Sequence, residues 1–411
     1  MDFNRVGSWL NVFFNPQTVM VNTADAVIIG GGVTGASITF HLAKLGLKVI
    51  CVERGYPASG ATGKSSAIIR MHYDNEPEVR MAFISLPYFQ NWKDIVGMGD
   101  CGFRGTGFLR LVDPEDYNKL KANVSMIRQV GVNTQIISRE DVEEIAPSFS
   151  TGDIDIAAWE PESGYADPCG TTFGFISAAE RVGAKLLNPA LVTGIDVESG
   201  KIIGVETNRG FIWARIVVNA AGAFASKVAE MAGLTLPIKP IRYQAGIFRR
   251  PQEIEAPHPI TIDRLSGQFY FRPDETGHTL VGGIGAEKGV NPEDYNETTD
   301  LGYSKTALGL ISKRIPGMER AIFRGGRAGC DGLSDDRYAI IDMVSEIEGF
   351  YCAVGHSGHG FKIAPAVGIC MAELITEGKA KTVEISPFRL SRFAEGVNPF
   401  KNPNLYGERE Q

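Results

Sequence analysis

A chain of 411 residues is too long for one ordinary hydrophobic core and predicts about two domains, at about 150 residues per domain. Its hydrophobic fraction of 44% and charged fraction of 22% are typical of a folded globular protein. The net charge is −7 and no run of basic residues is present, which excludes the phosphate-binding surface of a nucleic-acid-binding protein. We therefore expect no nucleic-acid partner.

The N-terminal residues 1–24 are predicted to form an arm that packs on the body of the protein. Asn11 and Pro16 interrupt the apolar residues of this stretch, and no small-residue cleavage site follows them. The stretch is also too short to span a bilayer, so no transmembrane segment is expected. Contact with a membrane surface or with a partner is the alternative for this arm.

Residues 26–53 have the pattern of a strand, a turn, a helix and a second strand. The apolar run 27–29 precedes a group of glycines, and residues 36–45 carry apolar side chains at helical spacing. Gly46 ends this helix, and residues 48–53 form the second apolar run. The pattern predicts a βαβ unit with a right-handed crossover and two parallel strands.

Two later helices have start signals that can be read from the sequence. Ser138 and Asp141 form a capping-box-like start, and Asp167 precedes Pro168 as an N-cap before a proline at the first helical position. The predicted helices after the βαβ unit are 76–96, 114–130, 138–145, 167–183, 303–314 and 363–377. The predicted strands are 107–112, 185–187, 192–198, 202–207, 210–218 and 350–354, with a β-rich segment at 238–283.

These elements predict an α/β fold with α+β insertions: a Rossmann-like nucleotide-binding domain interleaved with a β-rich substrate domain. The nucleotide-binding domain is expected to be discontinuous, because its pieces come from the beginning, middle and end of the chain. We assign to it residues 25–105, 155–240 and 325–385, to the substrate domain residues 106–154 and 241–324, and to a C-terminal tail residues 386–411.

The turn of the βαβ unit carries a G-x-G-x-x-G motif, in which Gly30 permits a tight turn, Gly32 allows close approach of a pyrophosphate and Gly35 allows close helix–strand packing. The N-terminus of the following helix favours an anion, because its N–H groups are unpaired. Glu53 ends the next strand, where its carboxylate is placed to accept hydrogen bonds from a ribose diol. The motif in this context predicts dinucleotide binding.

Two further segments distinguish a nicotinamide from a flavin dinucleotide. Residues 216–222 form a strand that ends in small residues, which suits close passage beside the nucleotide, although a buried strand end of any α/β protein looks similar. The glycine-rich segment 355–362 precedes an apolar helix, so its N–H groups and positive helix end suit the N1–C2=O edge of a flavin. NAD-dependent dehydrogenases do not need this third segment, and FAD is therefore the expected cofactor.

The sequences VIIGGGVTGASITFHLAKLG, SGATGKSSAIIR, GYADP, VVNAAGAFA and GHSGHGFKIAPAVG resemble the D-amino-acid-oxidase-like FAD oxidoreductases. The similarity is to the branch of sarcosine oxidases, glycine oxidase and dimethylglycine dehydrogenase, and it covers about residues 25–378. It implies a two-domain fold and an FAD cofactor. The FAD-binding residues that it implies are Gly30, Gly32, Val33, Thr34, Gly35, Glu53, Arg54, Ala61, Thr62, Ser65, Ser66, Ala67, Val192, Ala221, Gly222, Gly358, His359, Gly360, Phe361 and Lys362.

The resemblance also implies a clamp for a substrate carboxylate. Arg70 matches the arginine that binds the carboxylate in sarcosine oxidases, and Lys362 matches the lysine that shares this role beside the flavin. A guanidinium binds a carboxylate bidentately and an ammonium adds a point charge. Tyr270 and His72 are the weaker candidates for the same pocket; Tyr270 is equally compatible with a core tyrosine and His72 with a position outside the first contact layer.

The chain departs from the sarcosine oxidases at two places. The monomeric enzymes attach the flavin through a cysteine, and Cys330 lies one position from the aligned site. We therefore interpret Cys330 as an ordinary buried cysteine and expect the FAD to be non-covalent. The oxidases also activate oxygen with a lysine after the aromatic segment, where the strand 278–283 has none and Lys288 is expected to lie too far along. Oxygen and an electron carrier therefore both remain as acceptors.

The expected activity is FAD-dependent oxidation of a small carboxylate-bearing secondary amine or amino acid, with hydride transfer from carbon to flavin N5 and hydrolysis of the imine. A 2-hydroxy-acid dehydrogenase is the first alternative, and it would need His72 or His356 as a base in the pocket. The second is a flavin-carrying subunit of a heteromeric amine dehydrogenase. An oligomer is compatible with each of these three hypotheses.

The six cysteines bear on metal binding and on the compartment. No two of them have the spacing of zinc ligands or of a CxxC motif, and a chain of this length needs no disulfide framework. We expect no metal site, and a reducing cytoplasm is the simplest compartment. The cysteines are Cys51, Cys101, Cys169, Cys330, Cys352 and Cys370.

Overall fold

The computed structural model describes residues 22–254 and 256–400. Most of the predicted N-terminal arm, residues 1–21, and the last part of the predicted C-terminal tail, residues 401–411, lie outside the described residues. The described part of the tail packs on the body of the protein, because Phe388 and Phe400 both belong to the main hydrophobic core.

The helices are α1 (Val33–Lys44), α2 (Ala61–Lys64), α3 (Glu76–Gln90), α4 (Trp92–Ile95), α5 (Tyr117–Val130), α6 (Arg139–Ile145), α7 (Pro168–Arg181), α8 (Ala225–Glu230), α9 (Tyr303–Arg314) and α10 (Gly360–Glu377). The strands are β1 (Asn22–Thr23), β2 (Ala26–Ile29), β3 (Val49–Val52), β4 (Ile68–Ile69), β5 (Arg104–Gly105), β6 (Phe108–Leu111), β7 (Gln135–Ser138), β8 (Ile156–Glu160), β9 (Gly164–Tyr165), β10 (Lys185–Leu187), β11 (Val192–Glu198), β12 (Lys201–Thr207), β13 (Gly210–Trp213), β14 (Ile216–Asn219), β15 (Ile238–Arg249), β16 (Ile260–Asp263), β17 (Phe269–Pro273), β18 (His278–Gly282), β19 (Glu287–Lys288), β20 (Ile322–Ser334), β21 (Ile340–Met343) and β22 (Phe350–Val354).

A six-stranded sheet forms the centre of the molecule, in the order β10-β3-β2-β14-β22-β21. Its strands are parallel except for the edge pair β21 and β22. The predicted βαβ unit is confirmed, because β2 and β3 pair in parallel on either side of α1. Every residue of β2 and β3 is buried, as is typical of a parallel sheet covered on both faces.

Helices cover one face of this sheet and a small mixed sheet covers the other. Helices α1, α3, α7 and α10 contribute to the core on the first face. Gly368 of α10 lies against Ser37 of α1 so closely that a Cβ would overlap the serine hydroxyl, which brings the two helices into direct backbone contact. The four-stranded sheet β1-β13-β12-β11 covers the second face through Val205 and Ile212.

A nine-stranded sheet forms the second large layer. Its path is β19-β15-β18-β17-β16-β6-β8-β7, and β20 pairs with β15 in addition. The pairs are antiparallel apart from β16 with β6. Phe248, Phe271 and Ile311 pack in the core between this sheet and α9. The mixed fold agrees with the expected Rossmann-like domain and β-rich layer, while the boundaries of the two domains remain a prediction.

Two predicted elements have different bounds in the structure. The single strand expected at 210–218 is wrong: β13 and β14 belong to different sheets, because Ala214 donates its N–H to Ile203 and the chain then turns to pair with β2. The last helix starts at Gly360, three residues before its expected start at Ile363. The predicted caps Ser138 and Asp167 are confirmed, since each side chain accepts a backbone N–H in the first turn.

The described residues also bear on the cysteines and on membrane insertion. All six cysteines are free; Cys169 is exposed and the others are buried. Within residues 22–254 and 256–400, no helix combines the length and apolar character needed to cross a membrane.

A buried arginine holds the end of β16 against α9. Arg314 is 1% exposed and lies 2.7 Å from the fully buried carboxylate of Asp263 and 2.9 Å from that of Asp153. Replacing Arg314 by Met would leave the charge of Asp263 buried without its partner, so we expect a loss of about 3–5 kcal/mol in the free energy of unfolding. Urea denaturation measures it.

The matched control is Arg320→Met, since Arg320 forms an exposed ion pair with Glu253. Exposed pairs contribute at most about 1 kcal/mol, so this variant should stay close to the unmodified protein. Equal losses in the two variants would contradict the role given to Arg314.

Candidate functional site

One large cavity, with a volume of about 860 Å³, lies between the six-stranded sheet and the nine-stranded sheet. The carboxyl ends of β2, β3, β14 and β22 all reach its wall, which is where ligands bind in open parallel sheets. The three glycine-containing stretches that the sequence analysis assigns to the nucleotide meet here, and they contribute Gly30, Gly222 and Gly358 to the wall. The volume lies in the upper part of the usual range for ligand sites, about 300–1,000 Å³.

The first glycine turn brings α1 against the neighbouring strand end. Gly30 has φ +113°, and a Cβ there would lie 2.5 Å from the carbonyl oxygen of Ala220. A Cβ on Gly35 would overlap the carbonyl oxygen of Gly30, so Gly35 acts by packing and lies outside the cavity lining. Gly32 is the N-cap of α1 and lines the cavity. The first turn of α1 is therefore open toward a ligand, as its motif predicts.

Glu53 is held in place by backbone donors on both carboxylate oxygens. Its Oε2 accepts the N–H of Gly31 at 2.7 Å, and its Oε1 accepts the N–H of Gly55 at 2.7 Å. A carboxylate oxygen has two lone pairs, so each oxygen can accept one more hydrogen bond from a ligand. Since Glu53 lines the cavity, the geometry fits the ribose diol of a dinucleotide.

The wall next to Glu53 combines an aromatic ring with a cation. The guanidinium of Arg54 lies 3.8 Å from the ring centroid of Phe224, and both side chains line the cavity. Val192 and Ala221 contribute small and apolar surface beside them. This part of the cavity fits the adenosine half of a dinucleotide.

The opposite end of the cavity is formed by the start of α10. His359 is the N-cap of α10. Among the described residues of its first turn, none has an acidic side chain. Asp331 accepts the N–H of Gly358 at 2.8 Å, and burial raises the pKa of its carboxyl. The positive end of an 18-residue helix therefore faces the cavity and favours a ligand that carries negative charge.

His356 joins the two helix N-termini that face the cavity. Its Nε2 lies 3.5 Å from Oγ1 of Thr34 in α1, and its ring packs against Gly360 in α10. Burial lowers the pKa of His356 to about 4, so the ring is neutral at physiological pH. It lines the cavity as a neutral polar group.

Arg70 and Lys362 meet at the ring of Tyr73. The guanidinium of Arg70 is 4.9 Å from the ring centroid, and the ammonium of Lys362 is 5.5 Å from it. Arg70 is 4% exposed and Lys362 is 6% exposed, and both line the cavity. Arg70 also donates to the backbone carbonyl of His72, which helps to orient the guanidinium. The structure thus brings together the two cations that the sequence predicted as a pair.

The structure places His72 and Ala67 outside the cavity lining, together with Gly35. The ring of His72 is fully buried, with Nε2 3.2 Å from the amide of Asn123 and Nδ1 3.7 Å from the carboxylate of Glu160. These polar partners draw the ring away from the cavity, so the expectation that His72 lines the pocket is corrected. Ala67 has φ +52°, is fully buried and belongs to the hydrophobic core behind the cavity wall.

The other predicted residues of the cofactor and substrate sites line the cavity. They are Val33, Thr34, Ala61, Thr62, Ser65, Ser66, Tyr270, Gly360 and Phe361. Thr62 accepts the N–H of Val33 at 3.2 Å, which links α2 to the first turn of α1. The ring of Tyr270 lies across Gly282, where a Cβ would overlap it, and burial raises the pKa of this tyrosine.

Cys330 and Lys288 line the cavity as well. Burial raises the pKa of the Cys330 thiol to about 11, so the group is a thiol at neutral pH. Lys288, which was expected to lie too far along the chain, reaches the cavity because β19 folds back and pairs Lys288 with Ile241 of β15. This return of the chain depends on long-range strand pairing, which sequence patterns do not show.

Several cavity residues were missed by the sequence analysis, among them Lys64, Arg110, Tyr243, Arg264 and Gln268. Arg110 could have been identified from the sequence, because it is a single charged residue within the otherwise apolar strand Phe108–Leu111. The whole strand is buried in the structure. Lys64 could not have been identified in this way, because its contacts with Tyr295 and Glu297 join segments that are distant in sequence.

These observations fit FAD. The glycine turn leaves space that a Cβ would fill, the Glu53 carboxylate faces a ribose position, and a second helix N-terminus faces the other end of the cavity.

Comparisons with known proteins agree with this geometry. The family model described as "DAO: FAD dependent oxidoreductase" matches residues 25–374. The β subunit of sarcosine oxidase from Rhizobium meliloti (strain 1021) is 30% identical over 395 residues, covering 90% of this chain and 89% of that protein. FAD-dependent oxidoreductase domain-containing protein 1 of Bos taurus is 27% identical, covering 95% of this chain and 88% of that protein. The crystal structure of L-proline dehydrogenase from P. horikoshii has a TM-score of 0.85 and 32% identity, covering 92% of this chain and 99% of that one.

The role given to Glu53 can be tested by Glu53→Gln. The amide would turn a donor toward the N–H of Gly31 or Gly55, and we expect FAD affinity to fall by about 1–3 kcal/mol. Fluorescence titration of the apoprotein with FAD measures this change. Glu198→Gln, at an exposed position of β11, is the control and should leave the affinity unchanged. An unchanged affinity in Glu53→Gln would show that the carboxylate does not contact the cofactor.

Proposed function

The chain belongs to the DAO family of FAD-dependent oxidoreductases, and on this basis we propose that it oxidises a small secondary amine or amino acid that carries a carboxylate. The observation that supports this substrate class is the pair of buried cations, Arg70 and Lys362, beside the first turn of α10. A guanidinium and an ammonium that line one end of a cavity can bind a carboxylate through charge-assisted hydrogen bonds.

The carboxylate is bound by two different cations. Arg70 can donate two parallel hydrogen bonds to it, and Lys362 adds a compact positive charge. The ring of Tyr73 lies against both groups and limits their movement. The substrate is therefore oriented by its carboxylate, with Tyr270 on another part of the same cavity wall.

The chemistry requires the amine in its neutral form, and the site favours that form. Two cations and a positive helix end disfavour a protonated amine nearby, so the nitrogen lone pair is available when the C–H bond breaks. Bound FAD supplies the acceptor of the hydride at its N5. The resulting imine is released to water and hydrolysed. Positioning accounts for most of the rate, and no strong base is required.

A 2-hydroxy acid is the second candidate substrate. His356 favours it, because a neutral imidazole on the cavity wall is the group that oxidation of an alcohol needs as a base. The position of His356 between Thr34 and Gly360 gives it an equally good role in joining two helices. The substrate screen below separates the two.

The electron acceptor and the assembly remain part of the proposal. Oxygen and an electron carrier are the two candidate acceptors, and the name of the R. meliloti relative describes a subunit of an oxidase. A flavin-carrying subunit would copurify with unlike chains, whereas an independent enzyme would be reduced by substrate as an isolated chain.

The experiment that tests the proposal is an anaerobic screen in which the absorbance of bound flavin is followed after addition of each substrate. Sarcosine, glycine, proline, dimethylglycine, D-amino acids and 2-hydroxy acids form the set. Bleaching by an amino acid or N-alkyl amino acid supports the proposal. Bleaching by 2-hydroxy acids alone would replace it with the second candidate.

Arg70→Ala tests the carboxylate clamp. Removing the guanidinium leaves the substrate carboxylate without its bidentate partner, so substrate affinity should fall by roughly 2–4 kcal/mol. The dissociation constant is obtained from the substrate dependence of anaerobic flavin reduction. The control is Arg80→Ala, an exposed arginine that pairs with Glu76 on α3 and should have no effect. If Arg70→Ala binds substrate as tightly as the unmodified protein, the clamp is wrongly assigned.

A further inference from the structure

A short part of the cavity wall, the 64–66 segment, lies between the large cavity and two arginines. All three residues of the segment line the large cavity. Arg272 and Arg327 line a smaller cavity of about 330 Å³ and are not part of the lining of the large one. The segment starts at the end of α2, and Ser65 is the C-cap of that helix. Its ligand side and its arginine side are therefore distinct.

The three carbonyl groups of the 64–66 segment are bound by these two arginines. Nε of Arg327 donates to the carbonyl of Lys64 at 3.1 Å, and Nη2 of Arg327 donates to that of Ser65 at 2.8 Å. Nε of Arg272 donates to the carbonyl of Ser66 at 2.6 Å. The donors of a guanidinium have a fixed planar arrangement, so each bond constrains the orientation of the peptide group that it reaches.

Both arginines are themselves held by the nine-stranded sheet. Arg272 lies in β17, is 9% exposed, and its guanidinium is 4.4 Å from the ring centroid of Tyr165. Arg327 lies in β20, which pairs with β15 along its length. Gly329, two residues further along β20, lies so close to the segment that a Cβ there would be 2.9 Å from Cβ of Lys64. The sheet therefore sets the position of the segment.

The N–H groups of the segment are arranged differently from its carbonyls. Ser65 donates its N–H to the carbonyl of Thr62 at 3.0 Å, and Ala67 donates to Oγ of Ser65 at 3.0 Å. Within residues 22–254 and 256–400, no group accepts the N–H of Ser66. In a trans peptide the N–H points opposite to the C=O. Because the Ser65 carbonyl faces Arg327, the Ser66 N–H points the other way, toward the side of the large cavity.

We propose that Arg327 and Arg272 are positioning residues, which hold the carbonyls of the 64–66 segment so that the N–H of Ser66 donates a hydrogen bond to the bound flavin. Ser66 lies beside Tyr270, with whose phenol its side chain interacts. Tyr270 belongs to the wall assigned to the substrate, where the reacting part of the cofactor is needed. The inference rests on bound FAD and not on the class of substrate, so it extends the proposed function.

A hydrogen-bond donor that is fixed toward the flavin ring favours the reduced flavin. Reduction adds negative charge to the ring, and a nearby donor stabilises that charge. A donor whose direction is already set needs no rearrangement when the charge appears. Arg327 and Arg272 supply the fixed direction through the backbone, from outside the lining of the large cavity.

The test measures the midpoint potential of FAD bound to the full chain, by reductive titration against a reference dye. Ser66→Pro removes the N–H, and Ser65 already has the extended conformation, with φ −65° and ψ 151°, that a residue before proline adopts. Ser66→Ala keeps the N–H, loses the hydroxyl and is the matched control. We expect Ser66→Pro to lower the potential by about 30 mV relative to Ser66→Ala, which is a tenfold weaker preference for the reduced form of a two-electron couple.

The arginine variants are measured in the same way. Arg327→Met should lower the potential by a similar amount, because two carbonyls lose their donor. Arg272→Met releases the carbonyl of Ser66 and should cause a smaller shift in the same direction. Arg104→Met is the control and should leave the potential unchanged, since Arg104 is an exposed residue of β5 that pairs with Glu275. FAD content and thermal unfolding show whether each variant is folded.

A double-mutant cycle separates positioning from charge. If Arg327 acts through the Ser66 N–H, Arg327→Met should cause little further shift in the Ser66→Pro background. A full shift in that background would show that Arg327 acts by its charge, and would overturn the proposal. Arg327→Lys takes the place of Arg327→Met in the cycle if the methionine variant does not retain FAD.

The potentials of the two Ser66 variants decide the proposal independently of the arginines. Equal potentials for Ser66→Pro and Ser66→Ala would overturn it, even if Arg327→Met failed to fold. Loss of FAD from a folded Ser66→Pro, with FAD retained in Ser66→Ala, would support it. No substrate is present in these titrations, so a substrate screen without any flavin bleaching would reject the proposed function and leave this inference standing.

Discussion

The close approach of three backbone segments at the ends of parallel strands is the constraint on which the site depends. The turn at Gly30 lies against the carbonyl of Ala220, and Gly35 lies against the carbonyl of Gly30. Any side chain at Gly30 or Gly35 would push α1 away from the sheet, since these contacts are with backbone atoms that cannot move aside cheaply. The same contacts aim the N-terminus of α1 into the cavity, so packing and cofactor recognition share one geometry.

Positive charge is concentrated on the walls of this cavity. Helices α1 and α10 direct their N-termini to it, and Arg70, Arg110 and Lys362 are buried around its far end. Helix N-termini and cationic side chains on a cavity wall favour anionic ligands there. The phosphates of FAD are anions of this kind, and the carboxylate of the proposed substrate would be another.

Much of the local structure could be predicted because its causes are local. The bounds of α9 and β22 follow from the apolar spacing, and the caps Ser138 and Asp167 act within four residues of their own positions. The prediction of a single strand at 210–218 was wrong because the cause of its division is not local. Its two halves have similar propensities, and only their pairing with β12 and β2 separates them. Intrinsic strand preference is weak compared with such tertiary pairing.

The sequence determined the βαβ unit, the open glycine turn, the carboxylate at Glu53 and the presence of a cation in each of two distant motifs. These depend on backbone conformation and residue type over short distances. Tertiary structure alone decided which side chains share the cavity. It brought Arg70 and Lys362 to one tyrosine ring, turned His72 toward Glu160, and placed Arg110 on the inner wall. The direction of a side chain depends on the partners that long-range pairing supplies, and those partners come from strands and helices far apart in the chain.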